Sequence, residues 1–198
     1  MFSGIVEEAA VVKSLRRKSD CYELEVKSRL IYQKADCGES ISVDGVCLTL
    51  KKKAKEALLF DVMEATYKNT KFKYSRINER VNLERALKLE SLLSGYLVSG
   101  HVDTVLEVYR IEKKRESSKV FIKIPSQYLA FVVNKGSISL NGVSLTIQEV
   151  KNDMIAIGLI PYTLLETNLK DLKIHSKVNV EFDLLGKYVC NYLKNVRC

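Results

Sequence analysis

The chain has 198 residues, 46% of them hydrophobic and 28% charged, and carries a formal charge of +8. That apolar share supports a buried core and excludes disorder, while nine glycines and two prolines exclude collagen-like and proline-rich architectures. No segment approaches the roughly 18 apolar residues of a membrane helix.

The opening Met1-Phe2-Ser3-Gly4-Ile5-Val6-Glu7-Glu8 turns acidic at once, which predicts no signal peptide. Further along, Ile41–Val43 and Val46–Leu50 flank Asp44-Gly45, a favoured two-residue hairpin turn because both positions tolerate positive φ. The same text then returns. Residues 40–49 read SISVDGVCLT and residues 137–146 read SISLNGVSLT, seven of ten identical at an offset of 97. Val81-Asn82-Leu83-Glu84 falls on Val178-Asn179-Val180-Glu181, and Thr66 on Thr163, at that offset. Ser3-Gly4-Ile5-Val6 matches Ser99-Gly100-His101-Val102 at an offset of 96. This is a tandem duplication of one small domain, joined through Glu90–Tyr96.

In the second half, Leu97–Arg110, Lys119–Ile124, Met154–Leu159 and Val178–Phe182 alternate apolar and polar residues and predict strands. Pro125–Val132 and Tyr162–Asn168 predict short helices, the first with proline in its first turn. Asn141-Gly142 repeats the turn chemistry of Asp44-Gly45. About six short strands per half predict an all-β chain of two small Greek-key barrels. The tail, Leu184–Cys198, differs: Leu185, Val189, Tyr192, Leu193 and Val196 share one helical face. So short a helix is marginal alone and must pack on something, either its own chain as a lid or another subunit, and it is read as an oligomerisation element. The expected units are 1–96, the first barrel with its connection; 97–186, the second barrel; and 187–198, the terminal helix.

Cys21, Cys37, Cys47, Cys190 and Cys198 show no Cys-x-x-Cys spacing, and two histidines are too few for a Cys/His zinc cluster, so no metal is expected. An odd cysteine count without a secretion signal predicts reduced thiols and a cytoplasmic location. The lysine runs alternate with glutamates and read as solvated turns and edges.

Several segments together resemble one family. Met1-Phe2-Ser3-Gly4-Ile5-Val6-Glu7, the paired DGVCLT and NGVSLT loops, Ser99-Gly100-His101-Val102-Asp103, and Ile160-Pro161-Tyr162-Thr163-Leu164 with Glu166-Thr167 resemble the riboflavin synthase alpha-chain family, in order along nearly the whole chain. The resemblance implies two six-stranded lumazine-binding barrels and a C-terminal helix that holds a homotrimer. It implies conversion of two 6,7-dimethyl-8-ribityllumazine molecules into riboflavin and a ribitylamino-pyrimidinedione without metal or redox cofactor. It places the active site between the first barrel of one subunit and the second barrel of its neighbour.

Residue by residue, Cys47 replaces the Ser144 of the second repeat, and a thiol is the more acidic and nucleophilic group. Taken alone it equally describes a small buried thiol; the resemblance implies an active-site cysteine. His101 has the titration range for acid–base work, and the resemblance puts it near Ser144 in the second barrel. Asp183 lies on the family's acidic position, serving a proton relay or a ribityl hydroxyl. Ser40, Thr49, Thr66, Thr146 and Thr163 offer hydroxyls suited to a polyol, or reflect the β-propensity of threonine. Lys135 matches a family binding lysine, and Phe2 is expected to pack over a neighbour's ligand. Backbone around Gly4, Ile5 and Val6, around Asp61, Val62, Met63, Glu64 and Ala65, and around Gly158, Leu159, Ile160, Pro161 and Tyr162 is expected to line the two pockets. Leu48, Gly100, Val102 and Leu145 complete that lining.

Two other readings stand beside the enzyme. One is a non-catalytic lumazine or flavin binder of the same fold. The other is a basic barrel binding single-stranded nucleic acid through Tyr67, Phe72 and Tyr74, which lie among Lys68, Lys71 and Lys73. A small-molecule substrate, with neither nucleic acid nor membrane as partner, is the expectation.

Overall fold

Alternating apolar residues in short strands can bury one face only by closing on themselves, and this chain does so twice. The computed structural model describes residues 1–196. Its first barrel comprises β1 (Glu8–Arg17), β2 (Cys21–Lys27), β3 (Ser40–Val43), β4 (Val46–Ala54), β5 (Ala57–Met63) and β6 (Arg80–Arg85), closed in the order β1-β2-β5-β4-β3-β6. The second comprises β7 (Thr104–Lys113), β8 (Ser118–Lys123), β9 (Ser137–Leu140), β10 (Val143–Lys151), β11 (Met154–Leu159) and β12 (Lys177–Phe182) in the same order. Each barrel is filled by its own apolar cluster, with Leu24, Phe60 and Leu83 in one and Ile122, Leu140 and Phe182 in the other. The bulges recur as well, opposite Val12–Ser14 and Val108–Arg110, and opposite Leu50–Lys52 and Ile147–Glu149. No described helix is long and apolar enough to cross a membrane.

Both hairpin turns form as expected. Asp44 and Gly45 have φ of 48° and 80°, and Asn141 and Gly142 of 46° and 78°, the twice-positive pattern of a type I′ turn. The two turns also meet each other. A Cβ on Gly45 would stand 2.8 Å from the Gly142 nitrogen, and one on Gly142 would stand 2.7 Å from the Gly45 nitrogen. The contact is reciprocal, so the barrels join about a local two-fold axis.

Amides seal this junction. Asn82 Nδ2 donates to the Asn141 carbonyl and Asn179 Nδ2 to the Asp44 carbonyl. The Lys71 and Asn168 backbone N–H groups donate to Asn179 Oδ1 and Asn82 Oδ1. Lys71 is buried, its ammonium 2.8 Å from Asp44 and 3.0 Å from Glu79. Burial works against that ammonium, but the two carboxylates outweigh it and hold the amine above its usual range. Burial in turn pushes the Asp44 carboxyl up, against the pull of Lys71.

Three expected elements change shape. The strand expected over Leu97–Arg110 begins only at Thr104, because Val98 pairs with Phe2 and the following residues cross to the first barrel. The helix expected over Pro125–Val132 is a 3₁₀ helix, Ser126–Phe131, with Pro125 as its cap. The helix expected over Tyr162–Asn168 is α3 (Pro161–Glu166), followed by a separate 3₁₀ turn, Asn168–Asp171. Extended Thr167 divides them, its hydroxyl accepting from Leu169 N–H. Its counterpart α2 (Glu64–Asn69) ends in the same way at Thr70. After α1 (Leu30–Lys34) and these two helices comes α4 (Leu184–Val196), the expected tail helix. Cys198 lies outside the described residues.

Candidate active site

Each repeat opens on a Ser-Gly segment, and each segment crosses to the other barrel. Gly4 carbonyl accepts from Ser144 N–H at 2.7 Å, and Gly100 carbonyl accepts from Cys47 N–H at 2.8 Å. Val6 packs into the second core and Val102 into the first. Gly4 and Gly100 have φ of 75° and 82°, and a Cβ on them would lie 2.6 Å from Ser144 Cβ and 2.7 Å from Cys47 Cβ. Backbone angle and close approach both require glycine there.

The crossed segments are fastened by glutamates from the Val-Asn-x-Glu strands. Glu84 accepts from Ser3 N–H at 2.7 Å, Ser3 Oγ–H at 2.7 Å and Gly4 N–H at 3.0 Å. Glu181 accepts from Ser99 N–H at 2.6 Å, Ser99 Oγ–H at 2.7 Å and Gly100 N–H at 3.0 Å. Both carboxylates are buried, and burial pushes the Glu84 carboxyl up against these bonds. In the sequence this glutamate is visible only as the last residue of the repeated Val-Asn-x-Glu pattern. A charged residue recurring in otherwise apolar strands was the available signal.

Two depressions meet at Cys47 in the first barrel. The larger, about 550 Å³, is lined by Gly38, Cys47, Leu48, Thr49, Leu50, Lys51, Asp61, Met63 and Thr66. The smaller, about 270 Å³, adds Val46, Ala65, Asn69, Thr70, Gly100, His101 and Val102 to Cys47 and Thr66. A half-buried thiol, three threonines, a carboxylate and an imidazole thus surround one concave surface. Lys51 Nζ lies 2.7 Å from Asp61 at the rim, and its hydrogen bond to Asp61 raises the amine. Sequence reasoning missed Lys51 and Gly38, which carry no motif of their own.

His101 lines the Cys47 pocket of the first barrel. Within one chain it does not stand in the second barrel beside Ser144, where the resemblance puts it, because the Ser99–Val102 segment that carries it is exchanged. Beside Ser144 lie Gly4 and the connection residue Gly95 instead. Phe2 is also corrected: it is 0% exposed, inside its own chain and paired with Val98, so its ring is not presented to a neighbour. The N–H groups of Gly4 and Gly100 are taken by the glutamates. Val62, Leu145 and Leu159 point into the barrel cores. Ser40 opens on a separate groove with Glu39 and Arg85. Asp183 caps α4, its carboxylate accepting from Leu185 N–H at 2.9 Å. Nearby Tyr96 stays protonated, its hydroxyl pushed far up by burial and by Glu181, Asp183 and Asp103.

In the second barrel, Ser144, Thr146, Gly158, Ile160 and Thr163 take the places of Cys47, Thr49, Asp61, Met63 and Thr66. Exposed Lys135 stands where the first barrel has Gly38, with φ of 63°. Gln148 covers Gly158, where a Cβ would lie 2.1 Å from its Nε2. Glu64, Ile5, Pro161 and Tyr162 are exposed.

The surface does not suit single-stranded nucleic acid at the place considered. Phe72 is core, Lys71 is buried in its ion pairs, and Tyr67 stacks on Tyr22 at 3.7 Å.

Two stretches, residues 3–86 and 99–183, each match the family described as the lumazine binding domain. This chain belongs to the lumazine-binding domain family. It is 38% identical over 193 residues to riboflavin synthase of Bacillus subtilis (strain 168), covering 98% of this chain and 90% of that protein. It is 39% identical over 187 residues to riboflavin synthase of Chlamydia trachomatis serovar D, covering 94% and 92%. The crystal structure of LumP complexed with riboflavin matches with a TM-score of 0.86 at 30% identity, covering 92% of this chain and 100% of that one. LumP complexed with 6,7-dimethyl-8-(1'-D-ribityl) lumazine matches with a TM-score of 0.84 at 28% identity, covering 92% and 99%. Each lumazine-binding repeat begins at the serine its glutamate clamps, Ser3 or Ser99, and its clamp lies within the same repeat.

Proposed function

We propose that this chain is a riboflavin synthase. It transfers a four-carbon unit from one 6,7-dimethyl-8-ribityllumazine to a second, giving riboflavin and 5-amino-6-(D-ribitylamino)uracil. The observation that carries this reading is the Cys47 pocket with Thr66 and His101, in a chain aligned along nearly its full length with riboflavin synthases. The acceptor ring gains the carbons that the donor loses, so the exchange needs no external oxidant or reductant. Each barrel contributes one ring site, and holding two rings together supplies much of the acceleration, since effective molarities reach ~10⁵–10⁸ M. The acidic methyl at ring carbon 7 needs a base, and the other ring needs a nucleophile. Cys47 and His101 are the groups at hand in the first barrel, and Ser144 in the second. Thr49 and Asp61 face the polyol there; in the second barrel Thr146 takes the place of Thr49, and Lys135, which stands where the first barrel has Gly38, supplies the charged group.

The two rings meet between the first barrel of one subunit and the second barrel of its neighbour, in a homotrimer. Two features support this assembly. Leu185, Tyr188, Val189, Tyr192, Leu193 and Val196 of α4 are each more than half exposed in the single chain. Met63 of the first pocket is likewise exposed, as are Ile160 and Tyr162, which stand at the places of Met63 and Ala65 in the second repeat.

The test is a spectrophotometric assay with 6,7-dimethyl-8-ribityllumazine and no added cofactor. Riboflavin appearing at half the rate of lumazine loss is the expected result. A shifted lumazine spectrum without riboflavin would make the chain a binding protein of the kind its likeness to LumP also allows.

A further inference from the structure

We propose that Glu84 and Glu181 are positioning residues that act crosswise, each governing the pocket of the barrel to which it does not belong. Glu181 stands on β12 of the second barrel, yet the segment it holds, Ser99–Val102, lies on Cys47 and brings His101 into the first pocket. Glu84 stands on β6 of the first barrel, yet Ser3–Val6 lies on Ser144 of the second. Neither carboxylate has a cation within ion-pair distance among the described residues. Each buried charge is therefore held by its three donors alone, and the donors by it. The link from Glu181 to Cys47 is short: carboxylate to Gly100 N–H, and Gly100 carbonyl to Cys47 N–H. The Ser99 hydroxyl extends it by accepting from His101 N–H at 3.1 Å. A glutamine of the same shape offers one acceptor and one donor to a nest made only of donors, so it loosens the segment without opening a cavity.

The crossed coupling follows from geometry alone; its effect on turnover rests on the reading of the Cys47 pocket as catalytic. The experiment uses the full chain carrying E181Q or E84Q and iodoacetamide as probe, with alkylation of each cysteine read by peptide mass. Loss of one charge-assisted bond shifts local opening about tenfold. E181Q is expected to speed alkylation of Cys47 about tenfold, leaving exposed Cys37 unchanged, while E84Q leaves Cys47 at its original rate. In a Ser144→Cys background the pattern inverts, with E84Q and not E181Q speeding alkylation at position 144. Ser99→Ala, which removes one of the three donors, moves Cys47 in the same sense by less. Cys47 alkylation rising equally in both glutamine variants, or in neither, overturns the proposal. The expected labelling with unchanged turnover in E181Q upholds the crossed clamp and removes the Cys47 pocket from the chemistry.

Discussion

Cys47 and Ser144 occupy equivalent strand positions, and each donates its N–H to a glycine carbonyl from the opposite repeat. Their surroundings differ. Cys47 has Thr66, Asn69 and His101 about it, whereas Ser144 has Gly4 and Gly95. Under the proposed function, proton transfer and nucleophilic addition are therefore expected to concentrate in the first barrel. Cys47→Ser keeps the pocket's shape but replaces the thiol by a far weaker acid and nucleophile. It is expected to lower kcat roughly a hundredfold, within the range for a positioned acid–base group. Riboflavin affinity, measured by fluorescence quenching, is expected to change less than about fivefold, since no more than one ordinary hydrogen bond is at stake. Unchanged turnover would remove Cys47 from the reaction. The residue was identifiable in the sequence because duplication supplied its own control, a serine at the same place. Asp183 falls on Ala86 in the first repeat, which marks the carboxylate as specific to one half, but its cap on α4 is visible only with the helix in place.

Among the elements, α4 is the one without a repeat counterpart. It docks on its own barrel through Lys187, whose ammonium lies 2.7 Å from Asp103, and through Cys190, whose thiol donates to the Ala130 carbonyl. Its apolar face is left uncovered by these contacts. Deleting residues 188–198 keeps the Lys187–Asp103 pair and removes most of that face. Sedimentation is expected to show a trimer for the full chain and a monomer for the shortened one, and a trimer surviving the deletion would end the tail's proposed role. The amphipathic period predicted this helix well, since helical faces are set by residues a few positions apart. The strand over Leu97–Arg110 was predicted too long for the converse reason. Its alternation runs on through the residues before Thr104, but there Val98 pairs with Phe2 and Gly100 with Cys47, so the segment crosses the molecule instead of extending β7.

At the scale of the whole molecule, the two barrels meet at a junction that is symmetric in backbone and asymmetric in charge. Asp44 and Lys71 form a buried ion pair where the second repeat has the amides Asn141 and Asn168. D44N alone leaves the Lys71 ammonium facing an amide donor and is expected to cost about 3 kcal/mol, as for other broken buried pairs. Adding K71N copies the amide pair of the second repeat and is expected to recover most of that loss, read from urea midpoints. The pH dependence has a definite sign. The Lys71 amine is raised above its ordinary 10.5, so its stabilisation is whole below that pH and is lost as pH climbs through the folded value. The double variant is therefore expected to lose less stability than the parent above pH 10.5. Equal alkaline losses would show that Lys71 is not the titrating group.

The sequence by itself determined the duplication, the two I′ turns, the barrel class, the tail helix and the family, with Cys47 in the repeated DGVCLT segment. These rest on local rules, such as which residues tolerate positive φ and which alternate, or on direct comparison of one half with the other. Only the tertiary structure decided that His101 joins Cys47, that Phe2 is interior, that Asp183 caps a helix and that Lys71 is buried at the junction. The reason is the exchange of the opening segments. Glu84 reaches back 81 residues to Ser3 and Glu181 82 residues to Ser99, and both segments then lie on the opposite barrel. No periodicity or spacing within one repeat records which of two similar barrels a segment will complete.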